Sequence, residues 1–220
     1  MLQDSIKRKL VFGFDRLAAA LRTDQWSQAG AVGLNPTQIL ALEYVASRYA
    51  QGVRIKNIAE HLGVSQPTAT DTIVALERKG LIKKKPDAKD ARATSVLVTK
   101  QGSATLTSLA GAMLATETAL SRLEPEEQAD LLLLQIKLIR LLQQAGAIPA
   151  QRVCVSCQYF KPYSYSDALK PHHCAFVNAA FGDRDLRLDC HDHETAEASV
   201  QATTWQKFTK SPSATLQAKN

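Results

Sequence analysis

The segment Ile55-Lys-Asn-Ile-Ala-Glu-His-Leu-Gly-Val-Ser-Gln-Pro-Thr-Ala-Thr-Asp-Thr-Ile-Val-Ala-Leu-Glu-Arg-Lys-Gly80 decides the fold of this 220-residue chain. Apolar residues recur at helical spacing up to Gly63, which can take the left-handed conformation that ends a helix. Ser65 is a suitable cap for a second helix, Pro67 fits its first turn, and Gly80 ends it. Two short helices joined by a tight Gly-Val-Ser turn predict a helix-turn-helix.

Three apolar residues at helical spacing, Ala69, Ile73 and Leu76, define the buried side of the predicted second helix. Polar residues near its N-terminal end are therefore free to meet the major groove of duplex DNA. Glutamine and threonine side chains can read base edges there or anchor phosphates, and a helix N-terminus itself favours phosphate. The residues predicted to contact DNA on this helix are Ser65, Gln66, Pro67, Thr68, Thr70 and Asp71.

A β-hairpin with a charged tip is predicted directly after the helix-turn-helix. Residues 81–85 and 94–99 have strand character, and the turn-prone segment 86–90 follows the first of them. Near the tip, Asp90 can orient the guanidinium of Arg92 toward a narrow minor groove or a phosphate. The DNA contacts predicted for this wing are Lys83, Lys85, Lys89, Asp90 and Arg92.

The positive charge of the chain is concentrated around this motif. Residues 65–100 contain eight lysines or arginines and four acidic residues, so they supply a net +4 of the formal charge of +6. A basic run alone is usually a solvated face that aids solubility. Because this one coincides with a helix-turn-helix, it favours neutralisation of DNA phosphates.

Helical periodicity on both sides of the motif indicates a mainly α-helical domain. Residues 4–22 carry one apolar stripe, and residues 100–122 and 125–144 are typical of two further helices. The last helix is apolar well beyond one face, which favours burial against a second subunit, although a deep core within one chain would explain it equally. The predicted fold is mainly α with a small β-hairpin wing: a winged helix-turn-helix dimer over residues 1–147, followed by a small cysteine-rich module.

Four motifs in this order resemble the MarR family of bacterial winged-helix regulators. They are Ile58–Thr70, Leu76–Ile82, Lys89–Arg92 and Leu97–Gly102. In that family they correspond to the recognition helix, the helix end before the wing, the wing tip and the return into the dimer helix. The resemblance covers residues 4–144 and implies an obligate homodimer that binds a pseudo-palindromic operator and usually represses. Asp71 departs from the pattern, because many members have a basic residue there, and it could accept from a cytosine amino group.

All four cysteines of the chain lie between residues 154 and 190. Clustered cysteines in a chain expected to be cytosolic indicate a metal or redox site rather than a disulfide framework. A C-x-x-C turn places two sulfurs on one ion or cluster, and two further cysteines can complete a four-thiolate shell. The predicted ligands are Cys154, Cys157, Cys174 and Cys190, and the histidines that could substitute or support them are His172, His173, His191 and His193.

Zinc and an iron-sulfur cluster both remain open at this point. Structural zinc sites often pair two knuckles, and this chain has one clear knuckle. The cysteine order, followed by Gln158, Tyr159 and Phe160, is similar to that of high-potential iron-sulfur proteins, and this resemblance implies a 4Fe-4S cluster. We slightly favour the cluster over Zn²⁺. The aromatic residues that could shield it, or simply form the core of a small module, are Tyr159, Phe160, Tyr163, Tyr165, Phe176 and Phe181.

These observations predict a DNA-binding transcription regulator whose four-cysteine module, residues 151–195, senses redox state, oxygen or iron. The alternative is a MarR-type regulator that responds to a small-molecule effector, with the module as a structural zinc site. Catalysis is not predicted, since four thiolates leave zinc no open position and the chain has no phosphate loop or nucleophile-base signature.

Neither a membrane span nor a secretion signal is expected. No stretch approaches the roughly 20 apolar residues that a bilayer span needs, and the first residues lead into an amphipathic pattern. A cytoplasmic protein without a membrane partner is therefore predicted. Residues 196–220 are expected to form a mobile tail, because they show little apolar periodicity apart from Trp205 and Phe208.

Overall fold

The computed structural model describes residues 5–48, 52–87, 93–109 and 114–210. The chain divides into two compact units, an N-terminal unit of Met1–Arg122 and a C-terminal unit of Leu123–Asn220. None of the helices within the described ranges is long and apolar enough to cross a membrane.

The N-terminal unit combines helices with a small antiparallel sheet. Its elements are α1 (Ile6–Ala31), α2 (Pro36–Ala46), β1 (Val53–Arg54), α3 (Ile55–Leu62), α4 (Gln66–Arg78), β2 (Ile82–Pro86), β3 (Thr94–Val98), α5 (Lys100–Leu109) and α6 (Ala115–Leu120). The strands pair in the order β1–β3–β2. Strands β2 and β3 form the predicted hairpin, whereas β1 was not predicted because a two-residue strand carries no periodicity of its own.

Local capping signals set the ends of these helices. The Asn35 side chain accepts a hydrogen bond from the Gln38 N–H at 2.9 Å, and the Gln38 side chain accepts one from the Asn35 N–H at 3.3 Å, which is a capping box for α2. Ser65 Oγ accepts from the Thr68 N–H at 3.3 Å and caps α4. Gly63, with φ of 64°, ends α3 in the left-handed conformation that glycine adopts without strain. The boundaries of the helix-turn-helix are therefore those that the sequence predicts.

An apolar core holds the helix-turn-helix against α2 and the sheet. Leu42 of α2, Ile58 of α3 and Val96 of β3 are completely buried in it. From α4 it receives Ile73 and Leu76, which are also completely buried. Because four elements contribute, this packing fixes the orientation of α4 relative to the hairpin.

Two stretches of the N-terminal unit differ from the prediction in their bounds. Helix α1 continues to Ala31, past the predicted end at residue 22, and Ala29 in this extension is completely buried in the core. The single helix predicted over residues 100–122 is represented by α5 and α6, and residues 110–113 between them lie outside the described ranges. A new helix begins at Ala115 because Asp24 accepts hydrogen bonds from its first amides.

The C-terminal unit combines two helices with a second small sheet. Its elements are α7 (Pro125–Gln144), a 3-10 turn (Cys154–Ser156), β4 (Phe160–Lys161), β5 (His172–Cys174), β6 (Ala179–Phe181), a 3-10 turn (Asp183–Asp185) and α8 (Ala198–Lys210). The three strands are antiparallel, in the order β4–β5–β6. Ile136, Val155, Phe160 and Phe208 are buried together in its core. Helix α7 thus packs with the cysteine-rich module, although the sequence assigned it to a domain of residues 1–147.

The tail predicted for residues 196–220 is wrong over Ala198–Lys210, which form α8. Phe208 is buried, and the Arg140 guanidinium of α7 lies 4.8 Å from the ring centroid of Trp205. Side chains three residues apart share a helix face, so these two aromatic residues are enough to anchor a helix with little other apolar pattern. Residues 211–220 lie outside the described ranges.

Candidate DNA-binding surface and cysteine-lined cavity

Helix α4 presents a polar N-terminal end to solvent. Ser65, Gln66, Pro67, Thr68 and Asp71 are exposed, and Thr70 is half-buried. Ala69 on the opposite side is completely buried, as are the other two apolar residues predicted to face the core. Since the first amides of this 13-residue helix lack partners within the helix, its N-terminal end carries partial positive charge next to these side chains.

Local hydrogen bonds orient the hydroxyl groups at this end. Ser65 Oγ lies 2.8 Å from Thr68 Oγ1, and Thr70 Oγ1 donates to the carbonyl of Gln66 at 2.8 Å. These hydroxyls are therefore held close to the helix and keep lone pairs for an outside donor. Gln66 is exposed and carries both a donor and an acceptor, the combination that can bind adenine in the major groove.

The hairpin places lysines on two faces. Strand residues alternate between faces, so Lys83 and Lys85 share the face opposite to Ile82 and Lys84. Lys84 Nζ pairs with the Glu77 carboxylate at 2.7 Å and ties the hairpin to α4. Lys83 is exposed and Lys85 is half-buried, which leaves two positive charges on the other face.

An ion pair that the sequence does not indicate ties β1 to the tip end of the β2–β3 hairpin. Arg54 of β1 donates to the Asp87 carboxylate through Nε at 3.2 Å and Nη2 at 2.9 Å, and Ser95 Oγ donates to it at 2.6 Å. The partners are 33 residues apart, so no local pattern reveals them. The predicted wing-tip contacts, Lys89, Asp90 and Arg92, lie outside the described residues.

The four cysteines of the C-terminal unit surround one cavity of about 140 Å³. Cys154 begins a 3-10 turn and Cys157 follows it, Cys174 ends β5, and Cys190 lies in the loop before α8. The Cys157 N–H donates to the Cys154 carbonyl at 2.9 Å, which closes the C-x-x-C turn. The predicted set of thiols is therefore brought together from three separate segments of the chain.

These thiols line a cavity and do not converge on a point. No three His, Cys, Asp or Glu side chains within the described ranges are arranged to hold a single metal ion. Zinc bound by four thiolates at about 2.3 Å would draw the sulfurs to within about 4 Å of one another. The described residues therefore form a cavity lined by four thiols.

Burial and hydrogen bonds act in opposite directions on the sulfur of Cys154. Burial raises the pKa of this thiol to about 11, because it disfavours the thiolate. The Arg187 N–H donates to the same sulfur at 3.3 Å and favours the thiolate. Burial dominates, so the thiol is protonated at neutral pH unless a cationic group binds.

The histidines near the cysteines contact other partners than the cavity. His172 is completely buried, and its Nε2 lies 2.8 Å from Asp183 Oδ1. His173 Nδ1 lies 2.9 Å from the Tyr165 hydroxyl. His193 Nε2 lies 3.0 Å from Ser156 Oγ, and burial lowers the pKa of His193. His191 is exposed, and none of the four histidines is among the residues that line the cavity.

Four of the six aromatic residues singled out in the sequence line the cavity: Tyr159, Phe160, Phe176 and Phe181. Phe160 also packs against Phe208 of α8, with ring centroids 5.9 Å apart. The Phe160 ring thus lines the cavity and also belongs to the core of the C-terminal unit. An aromatic residue of this module can therefore have both predicted roles, shielding the site and forming the core. Tyr163 instead packs on His172, with ring centroids 4.9 Å apart.

The fold of the N-terminal unit is a winged helix-turn-helix, with α3 and α4 as the helix pair and β2 and β3 as the wing. Residues 34–94 match the MarR family model. This range contains α3, α4 and β2 and ends at Thr94, the first residue of β3. Members of this family are DNA-binding transcription regulators. Within these residues the chain is therefore similar to the winged-helix proteins of the MarR family.

Solved structures of such regulators share the fold at low sequence identity. A MarR family regulator from Silicibacter pomeroyi is 19% identical, with 66% of this chain and 94% of that chain covered and a TM-score of 0.53. S. aureus MepR in its DNA-binding conformation is 23% identical, with 62% and 98% covered and a TM-score of 0.51. No curated protein sequence matches the chain significantly.

Proposed function

We propose that this chain is a transcription regulator of the MarR type that binds a pseudo-palindromic operator in cytoplasmic duplex DNA as a homodimer and represses transcription. The observation that carries the proposal is the exposed polar N-terminal end of α4, which the core holds in a fixed orientation to a lysine-bearing hairpin. A helix of this kind fits the major groove, while lysines of the wing neutralise phosphates. S. aureus MepR, which is similar in fold, has been solved in a DNA-binding conformation.

The proposed contacts divide into two kinds. Gln66 and Thr68 contact base edges, with Asp71 accepting from a cytosine amino group, and Lys83 and Lys85 contact phosphates. Ser65, Pro67 and Thr70 shape and position the end of the helix. The wing-tip residues Lys89, Asp90 and Arg92 remain predicted contacts to the minor groove or to phosphate.

Binding to the chain's own promoter fragment, compared with a scrambled fragment of equal length, tests this proposal. Gln66→Ala should reduce the preference for the promoter by about 1–3 kcal/mol, whereas Lys83→Ala should weaken binding to both fragments alike. Gln206→Ala, an exposed glutamine on α8, is the matched control and should change neither. Equal affinity of the unaltered protein for both fragments would overturn the proposed operator recognition.

The homodimer is proposed from apolar surface that one chain leaves uncovered. Helix α1 exposes Ile6, Leu10, Val11, Phe12, Phe14, Leu17 and Leu21, and α7 exposes Leu134, Leu138, Leu141 and Leu142. Scattered apolar residues are normal on a surface, but continuous stripes along two helices mark an interaction site. A second copy of the chain would cover both stripes, as the MarR resemblance implies.

For the cysteine-lined cavity we propose a 4Fe-4S cluster held by Cys154, Cys157, Cys174 and Cys190. The support is the lining of the cavity, which combines four thiols with aromatic walls. Such a cluster would supply one-electron redox chemistry and sensitivity to oxygen. The alternative is a single structural zinc ion bound by the same four thiolates.

Helix α7 belongs both to the unit that contains the cysteine-lined cavity and to the proposed dimer surface. One side of it, with Leu133 and Ile136, is buried in the core of the C-terminal unit. Leu134 and Leu141 on the other side are exposed and belong to the proposed dimer stripe. We propose that a change at the cavity acts through this core on α7 and so on the dimer, which would change the separation of the two recognition helices.

Anaerobic purification with iron, sulfide and zinc analysis tests the cluster. We expect iron and acid-labile sulfide with visible absorption, lost in Cys157→Ser and Cys174→Ser and retained in Ser164→Ala, an exposed loop control. Stoichiometric zinc without iron would overturn the cluster. Operator affinity that is the same before and after oxidation of the loaded protein would overturn the sensing role alone.

A second candidate is regulation by a small-molecule effector. A cavity of about 190 Å³ in the N-terminal unit supports it, lined by residues of α1 and α2 and by Leu114. Asp24, Gln25 and Gln28 give it polar groups among apolar ones, the usual make-up of a ligand pocket. An effector that releases the operator equally from unaltered protein and from Cys157→Ser would favour this candidate.

A further inference from the structure

We propose that Arg187 is the positioning residue that sets the reduction potential of the cysteine-bound group, by contacting the sulfurs of both Cys154 and Cys190. This inference rests on the cluster proposed above. It adds a role for a residue that does not itself bind iron.

The contacts of Arg187 connect two distant cysteines. Its backbone N–H donates to Cys154 Sγ at 3.3 Å, and its guanidinium Nη1 donates to Cys190 Sγ at 3.7 Å. The Cys154 N–H in turn donates to the Arg187 carbonyl at 3.1 Å. One backbone–backbone bond and one backbone–sulfur bond thus hold Arg187 beside Cys154. The side chain of Arg187 reaches Cys190, which lies 36 residues after Cys154 in the sequence.

The charges around the cavity single out the same residue. Among the described residues that line it, Arg187 alone carries a positive charge, and Asp185 and Asp192 are the acidic ones. The Asp185 carboxylate accepts from the Gly182 N–H at 2.9 Å and so is directed to its own turn. Arg187 is accordingly the cation placed to offset negative charge on the sulfurs.

The direction of the effect follows from charge. A four-thiolate cluster is negatively charged, and one electron delivered by an external reductant makes it more negative. Hydrogen bonds to sulfur and a nearby positive charge both stabilise the more negative state, and they are recognised levers on cluster potential. Arg187 therefore raises the reduction potential, that is, it favours the reduced state at any fixed solution potential.

The test is an equilibrium redox titration of the anaerobically purified full chain with dithionite and mediators, followed by electron paramagnetic resonance. Arg187→Gln should lower the ratio of reduced to oxidised cluster about tenfold at fixed potential, equivalent to about 59 mV for one electron. Arg187→Lys, which keeps the charge, should recover most of the shift. Arg184→Ala, which removes an exposed arginine of the nearby 3-10 turn, should leave the potential unchanged.

Two failures are distinguishable in this experiment. If the unaltered chain contains no iron, both the cluster and the role of Arg187 are wrong. If it contains a cluster whose potential is the same in Arg187→Gln and in the unaltered protein, the role of Arg187 alone is wrong. Should Arg187→Gln not load iron, Arg187→Met, which also removes the charge, takes its place, and a potential equal to that of the unaltered protein would contradict the role of Arg187.

Discussion

Asp24 of α1 fixes the beginning of a helix that lies far away in the sequence. Its carboxylate accepts hydrogen bonds from the Thr116 hydroxyl at 2.6 Å, the Thr116 N–H at 2.9 Å and the Ala115 N–H at 3.3 Å. These bonds, chiefly those from Thr116, lower the pKa of Asp24 below its usual value. The ionised form is therefore the one that stabilises the fold.

We predict that Asp24→Asn destabilises the protein at neutral pH and much less in acid. A carboxyl group whose pKa is lowered by folding contributes stability above its unfolded pKa, about 3.9, and loses it as pH falls through the lower folded value. Urea unfolding of the variant and the unaltered protein at pH 7 and near pH 3 measures this difference. Asp15→Asn, an exposed position on the same helix, is the control, and a pH-independent difference for Asp24→Asn would contradict the assignment.

Single residues with local roles were predictable from the sequence, and residues with distant partners were not. Gly63 ends α3 and Ser65 caps α4, and both act within one turn of the chain. Their residue types and spacing are therefore enough to predict these roles. Asp24 and Asp87 act on groups 92 and 33 residues away, which no local pattern can indicate. The cysteines are an intermediate case, since their clustering predicts a shared site but not its shape.

At the scale of elements, periodicity predicted α3, α4 and the hairpin, and it failed for α8. Helix α8 is polar over most of its length, and the burial of Phe208 in the core of the C-terminal unit keeps it in place. The bounds of α5 and α6 were also missed, because Asp24 starts α6 from another part of the unit. Tertiary contacts decided each of these differences.

Phe208→Ala should unfold α8 and destabilise the C-terminal unit by about 3–5 kcal/mol, the usual effect of removing a buried aromatic ring. The measurement is chemical denaturation followed by the fluorescence of Trp205, in a Trp26→Phe background that silences the other tryptophan of the chain. Lys207→Ala, an exposed neighbour, should change stability by less than about 0.5 kcal/mol. Equal stability of the two variants would show that α8 is not part of the core.

At the scale of the whole molecule, the winged helix was predicted correctly because its motifs are local and ordered along the chain. The cysteine module was predicted as a site but not as a unit that includes α7. The broad apolar surface of α7 left two explanations open in the sequence. In the structure one side of α7 is buried within the C-terminal unit and the other side is exposed. A core within one chain therefore explains only part of the apolar surface of α7.

Leu134→Glu combined with Leu141→Glu should convert a dimer into a monomer. These side chains are 63% and 56% exposed, so the charges cost little in one chain but would be buried in the proposed interface. Sedimentation equilibrium gives the mass directly. Leu169→Glu, at a leucine 84% exposed in a loop, should leave the mass unchanged. A monomeric unaltered protein would contradict the proposed homodimer.

Binding of duplex DNA by α4 and the wing is tested by the affinity for the chain's own promoter fragment as a function of salt concentration. If α4 and the wing bind duplex DNA, log K falls steeply with log salt, and Lys83→Ala with Lys85→Ala lowers the slope by about 1 for each phosphate that is no longer neutralised. Absence of binding to this fragment, or affinity that does not change with salt in the unaltered protein, would show that α4 and the wing do not bind this DNA.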